Sequence, residues 1–140
     1  MILIDGHHLL IDEIVRVARN FEEVQISDVG KKNLRNSYDL RKEISSSGKA
    51  VYGINTGFGI FADKKIENKD SSKLSRNLIL SHAVGTGEPL TIEIVRAAML
   101  VRANTFCKGY SGVRPVIVET LIQMLNKNVV PLVPSQGSLG

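Results

Sequence analysis

Tyr52-Gly53-Ile54-Asn55-Thr56-Gly57-Phe58-Gly59 is the stretch of this 140-residue chain richest in chemical possibility. Three glycines within seven residues let the backbone adopt positive φ and approach a ligand closely. A phosphate cradle is one use for such a loop, but it has neither a Gly-Lys-Ser/Thr ending nor Gly-x-Gly-x-x-Gly spacing. A structural turn whose tyrosine packs on the core satisfies the same spacing.

A second stretch, Asn77-Leu78-Ile79-Leu80-Ser81-His82-Ala83-Val84-Gly85-Thr86-Gly87, sets His82 four residues after Leu78, on the apolar face of a helix. A lone histidine there is more often a satisfied core residue than a ligand or base. No second His or carboxylate stands at metal-ligand spacing, so no metal site is expected. His7-His8 has no such partner either and reads as a surface pair. In Gly109-Tyr110-Ser111-Gly112-Val113-Arg114-Pro115 the proline pushes Arg114 toward extended geometry, from which its guanidinium can reach a carbonyl or carboxylate. A structural role suits Arg114 best. Cys107 has no base beside it in an apolar stretch and reads as core.

The elements that must position these residues read as helices joined by Gly-rich turns. Residues 1–4 form a short apolar, strand-like run. Ile11, Ile14, Val15 and Ala18 recur at helical spacing, with Asp12 and Glu13 at the positive end of the helix dipole. Ser27 or Asp28 can cap a second helix carrying Val29, Leu34, Tyr38, Leu40 and Ile44, which ends in Ser45-Ser46-Ser47-Gly48. Ala50-Val51-Tyr52 looks β-like. Residues 71–84 read as a helix through Leu74, Leu78, Ile79 and His82. Thr91 can cap an apolar helix from Ile92 to Cys107, and Pro115 suits the first turn of another reaching Asn126. Pro131 and Pro134 force extended chain. The helix over 92–107 is apolar around most of its circumference, which points to missing sequence or to partners that cover it.

Composition bounds the rest. Hydrophobic residues make up 43% and charged residues 23%, enough apolar content for a core and for one domain with no internal boundary. A single Cys excludes a disulfide framework and fits a reducing, cytoplasmic setting. No run approaches the roughly 20 apolar residues of a membrane span, and no signal peptide is evident at the start. The net charge of +4 divides into −4 over 1–30, +6 over 31–76 and +2 over 77–140. Lys64, Lys65, Lys69 and Lys73 mix with Asp63, Glu67 and Asp70, the pattern of a solvated loop. Nucleic-acid binding would need a basic face with interleaved aromatics, which is lacking.

Taken in order, the motifs resemble one family. Tyr-Gly-Ile-Asn-Thr-Gly-Phe-Gly, Asn-Leu-x-x-Ser-His-Ala-x-Gly, Gly-x-Ser-Gly-Val-Arg-Pro and the closing Val-Pro-Leu-Val-Pro-x-x-Gly-Ser-Leu-Gly are similar to the aromatic amino acid ammonia-lyases, most of all to their histidine-selective members. The resemblance covers essentially the whole chain, and Ile2-Leu3-Ile4-Asp5-Gly6 matches the family's opening. Leu10 stands where the family commonly has a capping Thr, a departure expected to loosen the first helix.

The resemblance implies a mainly α chain, the amino-terminal portion of the helical ammonia-lyase (fumarase/aspartase-like) fold with short extended segments. It implies elimination of ammonia from L-histidine by a homotetramer acting on a small amino acid. The family's electrophile is a methylidene-imidazolone cyclised from Ala-Ser-Gly, which captures the substrate amine. By motif match Tyr52 takes the β-proton. Gly53, Asn55, Thr56 and Gly57 form the lid that carries it, and Ser81, His82 and Gly59 contact the substrate. A phenol, with an ordinary pKa of about 10, serves as a base only if its phenolate is stabilised.

The Ala-Ser-Gly triad is expected directly after Gly140 and is absent from this chain, so these residues alone are expected to be inactive. Two other functions fit the same residues: a tyrosine lyase or aminomutase of the family, and a non-catalytic truncated paralogue that binds longer subunits through the apolar 92–107 helix.

Overall fold

Strands and helices alternate at first and helices then dominate, as the hydrophobic periods require. The computed structural model describes residues 1–47, 49–59, 64, 66 and 70–137, apart from the side chain of Ser71. The order is β1 (Ile2–Ile4), α1 (Ile11–Asn20), β2 (Val24–Ile26), α2 (Asp28–Ser46), α3 (Ser71–His82), β3 (Thr86–Pro89), α4 (Ile92–Cys107), α5 (Pro115–Asn126) and β4 (Pro134–Gln136).

β1 and β2 pair in parallel, Ile2 with Val24 and Ile4 with Ile26, and α1 is the crossover that parallel pairing needs. The period of two shows in β1: Ile2 and Ile4 are buried while Leu3 between them is exposed. The side chain of Asn126 takes the place of a third strand at the edge of β2. Its Oδ1 accepts the Val24 N–H and its Nδ2 donates to the Val24 carbonyl, both at 2.9 Å. β3 and β4 pair antiparallel, Thr86 with Gln136 and Pro89 with Pro134.

The core is built around α4. Val95, Met99, Leu100, Ala103 and Cys107 pack with Val17 of α1, Leu34 of α2, the β1–β2 pair, and Val118, Ile122 and Leu125 of α5. Ile92, Ile94 and Val101 on the same helix remain exposed, so these residues cover only part of its apolar circumference. Among the described residues no helix is long and apolar enough to cross a membrane.

Several helix ends fall where the side chains direct. The Ser27 hydroxyl accepts the Gly30 N–H at 3.1 Å, and the Thr91 hydroxyl accepts that of Ile94 at 3.4 Å. Leu10 has no acceptor with which to cap α1, yet the helix begins at Ile11. The Glu13 carboxylate accepts the Leu10 N–H at 2.9 Å, supplying the reciprocal half of a capping box.

Other expectations are corrected. Residues 50–52 are a turn rather than a strand, because the Val51 carbonyl accepts from the N–H groups of Ile54 and Asn55. Val29 and Leu40, expected on the buried face of α2, are exposed. β2 and β3 were not foreseen, since three or four residues show too little alternation to announce a strand. The expected charge-mixed loop lies largely outside the described residues, as does Ser138-Leu139-Gly140.

Candidate active site

Tyr52 sits at the tip of the turn that follows α2, exposed, with its ring edge-on to Phe58 at 5.9 Å between centroids. Gly53 holds a φ of +78°, and a Cβ there would meet nothing within 4 Å. The position therefore calls for glycine through its backbone angle and not through lack of room. Below the tip the loop is tied down. Asn55 and Thr56 are buried, at 6% and 2% exposure, and the Thr56 hydroxyl donates to the Gly57 carbonyl at 3.0 Å. Gly57 N–H donates to the Lys64 carbonyl at 3.0 Å, and Ile66 N–H to that of Asn55 at 2.8 Å. The motif thus divides into a presented aromatic and a buried base. Gly59 is exposed.

The turn before α5 meets Tyr52 across a cleft of about 420 Å³ whose walls include Tyr52, Ile54, Arg41, Tyr110 and Ser111. Gly112, at φ +60°, closes one side, where a Cβ would come within 2.9 Å of the Arg41 Cβ. A larger cleft, about 750 Å³, joins the second motif to the closing one: His82 and Gly85 face Val133, Pro134, Ser135 and Gln136. The four motifs therefore meet in two pairs. Tyr52 and His82 line different clefts of this chain, with no wall residue in common.

His82 is exposed at the end of α3, not sunk in an apolar core as a lone histidine on that face would suggest. Its Nδ1 lies 3.0 Å from the Leu78 carbonyl and 2.9 Å from the Ser81 hydroxyl, which itself donates to the same carbonyl at 2.9 Å. A bare Nδ1 would set one lone pair against another at Leu78. These neighbours therefore assign the proton of the neutral ring to Nδ1 and leave Nε2 as an acceptor with no partner among the described residues.

Other titratable groups have structural partners. The Asp5 carboxylate accepts from the His8 ring and from the N–H groups of His7 and His8, which hold it far below the ordinary carboxylate range. His8 is raised in return by the same carboxylate, so it is not the unpartnered surface residue expected. Burial, with Asp5 nearby, pushes the Cys107 thiol up to about 11, which removes it as a nucleophile. Arg114 is exposed at the start of α5. Among the described residues no three His, Cys, Asp or Glu side chains gather as metal ligands would.

The third motif holds Tyr110 and Ser111, which line the Tyr52 cleft although its reading turned on Arg114, and outside the motifs stand Arg41 and above all Arg96. Arg96 is 1% exposed inside a largely apolar helix, and a charge between Val95 and Ala97 was the signal available for it.

The model of the aromatic amino acid lyase family matches residues 9–140. Histidine ammonia-lyase of Caldanaerobacter subterraneus is 50% identical over 139 residues, which are 99% of this chain and 27% of that protein. The chain thus spans about a quarter of the length of the curated relatives it matches. Among solved structures, histidine ammonia-lyase from Trypanosoma cruzi aligns over 98% of this chain and 27% of its own, with a TM-score of 0.89 and 33% identity. Tyrosine aminomutase from Streptomyces globisporus aligns over 98% and 26%, with a TM-score of 0.91 and 31% identity. The fold is therefore shared with enzymes of more than one activity, while the sequence match extends over nearly every residue. The chain belongs to the aromatic amino acid lyase family.

Proposed function

We propose that this chain supplies part of the active site of a histidine ammonia-lyase, with Tyr52 taking the β-proton and Ser81-His82 holding the substrate's imidazole. The observation that carries the reading is the hydrogen-bonded His82 ring, whose Nδ1 is engaged by Leu78 and Ser81 while Nε2 has no partner among the described residues. Such an acceptor suits the N–H of an imidazole substrate, and a substrate without that donor leaves it unpaired. Relatives of 43–50% identity named histidine ammonia-lyase support the same substrate.

Tyr52 is suited to proton removal by its place at the tip of a tethered turn, where its phenol reaches outward. Arg41 lines the wall of the same cleft. Gly59 and the lid residues Gly53, Asn55, Thr56 and Gly57 then serve to bring Tyr52 to the substrate and exclude water.

These 140 residues contain no Ala-Ser-Gly, so none of them forms the family's methylidene-imidazolone ring. They do fit the approach to it: β4 is held on β3 in the cleft of His82, so the closing motif runs beside the substrate-holding pair. When present, the ring supplies the electrophile that makes ammonia a better leaving group. The exposed Ile92, Ile94 and Val101 support assembly with further chain, which we read as a homotetramer in the cytoplasm, with neither nucleic acid nor membrane as partner.

A tyrosine lyase or aminomutase is the second reading, favoured by the likeness to tyrosine aminomutase. A tyrosine hydroxyl can also donate to His82 Nε2. Offering L-histidine and L-tyrosine separately to the full-length protein decides between them: urocanate from histidine supports the proposal, and products from tyrosine alone overturn it.

A further inference from the structure

The backbone that carries Tyr52 is closed on itself by one side chain. Asn55 Oδ1 accepts the Val51 N–H at 2.8 Å, and its Nδ2 donates to the Lys49 carbonyl at 2.8 Å. The main chain of Asn55 adds a third tie, its N–H donating to the Val51 carbonyl at 3.2 Å. A single buried amide, carried by the residue at the exit of the Tyr52 turn, thus grips the entry to it. Both of its polar ends are used, as burial demands. Among the described residues the Tyr52 ring pairs with that of Phe58, and a Cβ on its neighbour Gly53 would meet nothing within 4 Å. The Val51 carbonyl, which enters Tyr52, accepts in addition from the Ile54 N–H at 3.1 Å.

We infer that Asn55 is a positioning residue for proton removal, its side-chain amide setting the direction in which the Tyr52 phenol points. This rests on the reading of Tyr52 as the base. A carboxamide is the group the geometry requires, since one end must accept from an N–H and the other donate to a carbonyl. Aspartate keeps the shape and the acceptor but places a second oxygen against the Lys49 carbonyl. Alanine removes both bonds. Either change lets the turn relax and misaligns the base, and a misplacement of about an ångström at a reacting group costs up to about a hundredfold in rate.

The test compares Asn55→Asp, Asn55→Ala and Tyr52→Phe in the full-length protein, by steady-state turnover of L-histidine and by thermal melting. The expected result is no turnover in Tyr52→Phe. Both Asn55 variants should lose about tenfold or more in kcat, with KM within about twofold and a melting midpoint that stays well above the assay temperature. Parental kcat in both Asn55 variants beside a dead Tyr52→Phe overturns the inference and leaves the reading of Tyr52 intact. Turnover by Tyr52→Phe overturns both. A fall in kcat in variants whose melting midpoint has dropped to the assay temperature assigns Asn55 to the fold and overturns its positioning role. Should the aspartate variant fail to fold, Asn55→Ser gives the same comparison, and failure of all three to fold likewise overturns it.

Discussion

The guanidinium of Arg96 lies 4.5 Å from the centre of the Phe21 ring, at a point where two helices end. Its Nη2 and Nε donate to the Val17 carbonyl in the last turn of α1, at 2.8 and 3.2 Å. Its Nη1 donates to the Leu125 carbonyl in the last turn of α5, at 3.0 Å, and to Asn128 Oδ1 at 3.2 Å. Carbonyls in a last helical turn lack intrahelical partners and carry the negative end of the helix dipole, so one buried cation serves two helices. Phe21 and Asn128, the non-glycine residues at positive φ among those described, both pack on it, each at 56°. Burial pushes the Arg96 pKa down, and an aromatic face with three oxygens keeps the charge in place.

Replacing Arg96 by methionine keeps the volume but strands the Val17 carbonyl, whereas the Leu125 carbonyl still accepts the Asn128 N–H at 3.2 Å. At about 1–3 kcal/mol for an unsatisfied buried group, a loss of that size is expected. Urea denaturation of the parent and variant chains checks it, and a change below about 1 kcal/mol would show that water replaces the guanidinium at little cost.

Tyr52→Phe should leave stability unchanged, because the Tyr52 ring packs on Phe58 and its hydroxyl bonds to no described residue. Turnover of the full-length protein should fall to background, because the phenol that takes the proton is gone. A circular dichroism melt and a steady-state assay on the same preparation separate the two effects.

Ser81→Ala removes one of the two contacts that orient the His82 ring. A hydrogen bond worth about 1 kcal/mol corresponds to roughly a fivefold loss in kcat/KM for histidine. His82→Leu deletes the acceptor itself and should cost more. If His82→Leu turns over histidine as the parent does, this residue does not hold the substrate's ring.

The Asp5–His8 pair makes the β1–α1 loop sensitive to pH. His8 is raised in the folded chain, so its contribution is complete below its ordinary pKa of 6.5 and is lost as the pH rises through the raised value. Asp5 is lowered, so its contribution is complete above its ordinary 3.8 and is lost as the pH falls through the lowered value. The loop is therefore held best between about pH 4 and 6.5, the ordinary values of a carboxylate and an imidazole. In Asp5→Asn the His8 midpoint, followed by proton NMR of the imidazole, should fall back toward 6.5. An unmoved midpoint would contradict the pairing.

Helix α4 and helix α5 were legible to the residue, because Thr91 and Pro115 start them and the apolar period of 3.6 carries them to Cys107 and Asn126. Site residues were legible by type, since the glycines around Tyr52 and the Ser81-His82 pair stand out in any window. Their company was not. That Tyr110 and Arg41 face Tyr52 while Ser135 and Gln136 face His82 depends on contacts between residues tens of positions apart, which no local pattern encodes.

The amino-acid sequence by itself determined the mainly α character, the helix starts and the membership in a lyase family, because caps, periods and motif order are local properties of the chain. Tertiary structure alone decided the parallel pairing of β1 with β2, the burial of Arg96 between two helix ends and the exposure of His82. Each of these is set by which surfaces remain to be covered once the helices pack. A charged residue is accepted in a core only where distant carbonyls converge on it, and a histidine stays exposed only where no other element is packed over it.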